Sequence, residues 1–162
     1  MRDDEVRELL KSLASTPIEL SRLVGHVSPE SIAVKPSPEE FSVLENVCHL
    51  RDLESEAYAV RIQRILHEDL PFLTNFEGTR LAIERDYNRQ NLDRALATFC
   101  EERGKNLALL SQTAHGEFKR LGELEGLGKI TLLKLLEMMH EHDEGHLDDL
   151  RRQGRFAAAA LD

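Results

Sequence analysis

The chain has no tryptophan, two cysteines and few aromatic residues (5%), and three of its five prolines fall in one short stretch. Each scarcity excludes something. Cys48 and Cys100 stand far apart with no C-x-x-C spacing, so neither a thiolate metal cluster nor a disulfide framework is expected. Few aromatics beside abundant Leu, Ala, Glu and Arg argue for helices over sheets. No run of about 18 apolar residues occurs, so neither a membrane-spanning helix nor a membrane partner is expected. No basic cluster stands against the formal net charge of −9, and phosphate backbones recruit Lys and Arg patches, so nucleic acid is not an expected partner. The start, MRDDEVRELL, carries acids where a signal peptide needs an apolar stretch, which leads to the expectation of a cytoplasmic protein.

What is present suits one domain, residues 1–162, ending in a short tail over 154–162. An apolar content of 41% in 162 residues is enough for a real core. Apolar spacing predicts a first helix from about Asp3 to Val24, with a kink or break expected at Pro17. SPESIAVKPSPEEF then reads as a linker. A second helix is predicted from Ser42, where Ser42 and Glu45 have capping-box spacing, to about Leu66. Residues 68–90 form a long connection in which TRLAIERDYN has the pattern of a short extra helix. A third helix runs from an N-cap at Asn91 to about Thr113, with Leu92, Leu96, Phe99, Leu107 and Leu110 inward. A glycine-punctuated link (Gly116, Gly122, Gly126, Gly128) leads to a fourth helix from Thr131 to about Gln153, with Gly154 as its stop.

The fourth helix carries the chemistry. Its apolar stripe passes through Leu132, Leu135 and Met139, then through His142 and His146, and ends on Leu150. At about 100° per residue the two histidines lie one turn apart and about 40° from each other. Imidazoles at i and i+4 can converge on one ion, yet histidines on an apolar stripe also serve as hydrogen-bonded core residues. The pair alone leaves both readings open. On the second helix His49 shares a side with Asp52 and Glu56, which are candidates to orient its free nitrogen or to move a proton. His140 should face solvent, about 160° from His142. His26 and His67 lie near helix ends, where they suit the last carbonyls.

Taken in order, HLRDLE at His49–Glu54 and HDEGH at His142–His146 resemble the motifs of the DinB-like family. Phe41-Ser42 stands where many members have Trp-Ser, and the likeness extends from about Pro36 to Gln153, including Arg103. The resemblance implies an all-α four-helix bundle running up-down-down-up, with 68–90 joining parallel helices two and three. It implies one divalent transition metal, commonly zinc or nickel, on the three histidines matching His49, His142 and His146. Dimerisation is an expectation carried by the family alone. Asp143 suits a structural salt bridge.

Three neutral imidazoles would leave an ion with an open position, where water loses a proton near neutral pH or a thiol is held as thiolate. Relatives of this bundle include bacillithiol transferases and the mycothiol-dependent maleylpyruvate isomerase. The resemblance therefore implies a thiol S-transferase acting with a low-molecular-weight thiol on an electrophilic small molecule. The alternatives are a metal-dependent hydrolase and a non-catalytic metal-binding or interaction module. A di-iron carboxylate bundle needs two Glu-x-x-His motifs, and the chain has one, Glu137 to His140.

Overall fold

A computed structural model describes residues 3–159 of the chain. The long helices are α1 (Asp3–Val24), α2 (Val43–Asp52) continuing through a π-helical turn (Leu53–Tyr58) into α3 (Ala59–His67), α5 (Leu92–Gln112) and α6 (Leu132–Ala159). Between them lie β1 (Phe72–Leu73), α4 (Gly78–Glu84), β2 (Leu121–Leu124) and β3 (Gly128–Thr131), with 3₁₀ turns at Tyr87–Arg89 and His115–Lys119. Local chemistry sets the main starts. Ser42 Oγ accepts from the Glu45 N–H at 3.1 Å while Glu45 accepts from the Ser42 N–H at 2.8 Å, completing the capping box. Asn91 Oδ1 accepts from the Arg94 N–H, and Thr131 Oγ1 from the Lys134 N–H.

Two apolar clusters fix the helix directions. One joins Val6 and Leu13 with Ile62, Ile65, Leu110 and Leu132 to Met139. The other joins Leu20 and Val24 with Val43 to Leu50, Ala95, Phe99, Leu147 and Leu150. The early part of α1 thus meets the late part of α5 and the early part of α6. The order is up-down-down-up in a four-helix bundle, as expected.

A polar layer separates the two clusters. Arg103, 1% exposed, donates through Nη2 to Glu54 at 2.8 Å and through Nη1 to Asp143 at 2.7 Å. Asn106 donates to the other Glu54 oxygen at 2.7 Å, and Thr16 Oγ1 donates to Asp143 at 3.1 Å. Four of these five residues continue an apolar stripe: Thr16 between Leu13 and Leu20, Arg103 and Asn106 between Phe99 and Leu110, Asp143 between Met139 and Leu147. Burial pushes the Glu54 carboxyl up, and the opposing pull of Arg103 does not cancel it. Burial also opposes the Arg103 charge, but Glu54 and Asp143 outweigh it and hold the guanidinium charged.

Four local expectations are corrected. Of the kink or break expected at Pro17, the break is absent, because α1 runs unbroken from Asp3 to Val24. Proline has no N–H for the Leu13 carbonyl, and that carbonyl instead accepts from Arg103 Nη1 at 3.0 Å. Gly154 does not end α6, which continues to Ala159, and residues 160–162 of the expected tail lie outside the described residues. The link after α5 is no mere loop: β2 and β3 pair as a hairpin, with left-handed glycines at Gly126 and Gly128, and β1 joins β2 in parallel. Leu73, Leu124 and Ile130 bury their side chains from this small sheet in the bundle core. His140 is half-buried against α1, its Nδ1 3.3 Å from Ser12 Oγ, rather than facing solvent.

Removing one partner of a buried, hydrogen-bonded ion network strands the remaining charges. Arg103→Met should therefore lower unfolding stability by about 3–5 kcal/mol in urea titration. A loss under about 1 kcal/mol would mean that the layer contributes little to holding the helices.

Candidate metal centre

The first turns of α2 and the middle of α6 face each other antiparallel, which brings His49 opposite His142 and His146. The three Nε2 atoms converge: those of His49 and His146 each lie 3.2 Å from that of His142. All three lie within 4.8 Å of one another, and no further His, Cys, Asp or Glu joins the group among the described residues. Ligand nitrogens held about 2.0–2.1 Å from a tetrahedral ion stand about 3.3 Å apart, so the spacing fits one ion.

The rings carry the protonation state that ligation needs. His49 is 7% exposed, and burial, aided by His142, pulls its pKa down to about 4. Burial, with His142 and His49, pulls His146 down to about 3, and burial also lowers His142. All three are neutral at pH 7. On His146 the Nδ1–H donates to Asn46 Oδ1 at 2.6 Å, which leaves the Nε2 lone pair pointing at its neighbours. Asn46 is held in turn by donating to the Ser42 carbonyl at 2.9 Å. Three lone-pair nitrogens aimed at one point repel each other unless a cation or proton lies between them, so the donor set fits a metal ion.

Aromatic and backbone groups wall the site. Phe41 and Phe76 lie 5.4 and 5.8 Å from the His49 ring, and Tyr58 meets the His142 ring edge-on at 6.4 Å. Gly78, at the start of α4, packs on the other side of His49. A Cβ there would fall 2.5 Å from Nδ1 and closer still to Cε1, so this close approach requires glycine. Nothing in the sequence pattern marked Gly78. Asn46 was detectable in principle as a polar residue among the buried positions of α2.

The carboxylates lie elsewhere than expected. Asp52 does not orient His49, whose buried Nδ1 has no hydrogen-bond partner. It accepts instead from Arg51 at 2.6 Å, Arg85 at 2.6 Å and Tyr87 at 2.7 Å. Burial raises the Asp52 carboxyl, but these three donors hold it below the usual carboxylate range. Glu56 is carried to the surface because the π turn adds a residue after Asp52, and it pairs with Arg85 at 2.6 and 3.0 Å. The same turn keeps Glu54 inside. Asp143 makes the expected structural ion pair, with Arg103.

Of the remaining candidates, Cys48 is fully buried behind His49, and burial pushes its thiol up to about 11, so it is an inert core residue. His26 and His67 donate from Nδ1 to the Arg22 and Gln63 carbonyls, as helix-end residues. A Cβ on Gly145 would meet nothing within 4 Å, so this glycine serves no close packing.

A four-helix bundle with a half-enclosed cluster of three histidines between antiparallel helices defines the class. The chain belongs to the DinB superfamily, whose model matches residues 12–150. Its fold is also that of YfiT from Bacillus subtilis, described as a probable metal-dependent hydrolase with an unusual four-helix bundle topology. The two superpose with a TM-score of 0.90 over 98% of this chain and 90% of YfiT, at 19% identity. No curated protein matches the chain. Among the described residues no helix is long and apolar enough to cross a membrane.

Two outcomes follow from the site. Asn46→Ala frees the His146 ring and should weaken metal affinity by about 10–100-fold in a competition titration with a chromophoric chelator. An unchanged affinity would show that Asn46 does not orient the ligand. The second outcome concerns pH. With folded pKa values near 4 and 3 against 6.5 in the unfolded chain, the unfolded state binds more protons below pH 6.5. Metal-free protein should keep full stability above pH 6.5 and lose it steadily as pH falls toward 4. His146→Phe should flatten that slope in urea midpoints measured across the window.

Proposed function

We propose that the three histidines hold one divalent transition metal, zinc or nickel, and that the protein transfers a low-molecular-weight thiol onto an electrophilic small molecule. A divalent ion on three neutral imidazoles supplies undiminished positive charge and an open position for a nucleophile. The observation that carries the choice of nucleophile is the engagement of both nearby carboxylates. Asp52 and Glu56 are each bound to Arg85, so neither is free to accept a proton from an attacking group. A reaction that suits this site needs charge rather than a strong general base. A thiol with a pKa near 8.5 meets that requirement.

The chain's own residues do the remaining work. Asn46 fixes the His146 tautomer, and Gly78 lets α4 seat against His49. Phe41, Phe76 and Tyr58 give the site apolar walls that limit water and suit an organic electrophile. A metal-dependent hydrolase is the second reading, favoured by the likeness to YfiT.

The test starts with elemental analysis of protein carrying no histidine tag, beside a His142→Ala/His146→Ala variant. About one equivalent of transition metal, lost in the variant, is the expected result. Metal-loaded protein is then offered several thiols with an aryl halide and an epoxide, and separately an ester and lactone panel. Conjugation that vanishes with chelator and in the variant supports thiol transfer. Metal-dependent hydrolysis without conjugation moves the assignment to the second reading, and neither activity in fully loaded protein favours a non-catalytic module.

A further inference from the structure

Arg61, on α3, is buried to 8% exposure and has no carboxylate partner among the described residues. Its contacts are a hydrogen bond from Nη2 to the Thr74 carbonyl at 2.7 Å and a cation–π approach to Tyr58 at 6.0 Å. The other long-buried arginine, Arg103, has two acids. Burying a guanidinium without a counterion is unfavourable, and a fold keeps one only where something offsets it. Burial pulls the Arg61 pKa down, and only the Tyr58 hydroxyl acts against that.

The guanidinium lines a cleft of about 60 Å³, walled also by Glu56, Val60, Arg64, Thr74, Asn75 and Phe76, and the Glu56 carboxylate there is paired with Arg85 rather than Arg61. Arg103 Nε is sealed without a partner, whereas the free nitrogens of Arg61 are not among the sealed polar atoms. They keep a path to solvent along this cleft. Arg64, on the same rim, is already paired with Glu68 and donates to the Phe72 carbonyl, so its charge is spoken for. The cleft adjoins the histidines through shared walls. Phe76 lines it and also touches His49, while Tyr58 lies between Arg61 and His142.

We infer that this cleft is a substrate subsite in which Arg61 binds a carboxylate of the small molecule that reacts at the histidine centre. The volume accommodates a carboxylate and one or two waters, and a single unpaired guanidinium matches one carboxylate group in charge and in planar geometry, leaving the rest of the molecule outside the cleft. Val60 and the Phe76 ring suit the carbon chain attached to it. The inference rests on the proposed reaction centre, since it names the class of molecule that reaches it.

Binding of succinate, its neutral diamide and inorganic phosphate to the full chain, with and without added zinc, tests this separately from catalysis. The readouts are calorimetry and amide NMR shifts. Succinate is expected to bind saturably and to shift Thr74, Asn75 and Phe76, while the diamide does not bind. Arg61→Met should weaken succinate at least about tenfold, with Arg61→Lys recovering part of the loss. If Arg61→Met unfolds, the wild-type comparison of succinate with its diamide and the shift map decide the matter. No saturable succinate binding, equal binding of the diamide, shifts away from the cleft, or tighter binding of phosphate would each overturn the carboxylate assignment. Because binding is read without turnover, failure here leaves the metal-centre proposal standing, and absence of metal-dependent activity leaves this result intact.

Discussion

Arg103 lies in the middle of the bundle with a charge that water cannot reach, and the arrangement of the long helices follows from meeting it. Glu54 comes from the π turn after α2, Asp143 from α6, and the Leu13 carbonyl from α1. A guanidinium presents its donors in a rigid planar fork, so its acceptors must arrive from fixed directions. That requirement couples four segments remote in sequence at one level of the bundle. It also gives Pro17 a place: the carbonyl that proline leaves without its helical donor is the one Arg103 uses.

The histidine centre is built on this layer. Asp143 immediately follows His142, and its ion pair with Arg103 fixes that turn of α6 against α1 and α5. On the facing helix, the capping box at Ser42 starts α2 and Asn46 grips both the Ser42 carbonyl and His146. One side of the site is thus held by an ionic layer and the other by a helix cap. Between them the rings remain neutral because they are buried, and their Nε2 atoms face one another. Polar order around the site and repulsion among lone pairs within it suit the cation proposed above.

Much of this could be read from residue order. The capping residues, the long helices and the i and i+4 histidines on an apolar stripe all appear in the structure as expected, and so does the up-down-down-up order that the family resemblance implied. The departures share a cause. A plain helical count put Glu56 on the face of His49, but the π turn inserts a residue there and exchanges Glu56 for Glu54 on the inside. A stop at Gly154 and a break at Pro17 were local preferences worth one to a few kcal/mol, and tertiary packing outweighed both. The small sheet escaped notice because its strands are two to four residues long, too short for an alternating pattern to register.

The sequence by itself determined which segments become helices, where they start and which histidines share a face, because caps and periodicity act between residues a few positions apart. Family resemblance named His49 beside His142, but only the tertiary structure brings the two rings together across 93 residues. It also decided that Asp52 and Glu56 answer to Arg85, that Gly78 admits the His49 ring, and that Arg61 has no acid paired with it among the described residues. Those outcomes depend on charges and ring surfaces meeting across helices. Such contacts form only when burial has removed water as the competing partner, and no local pattern records which groups will then be paired.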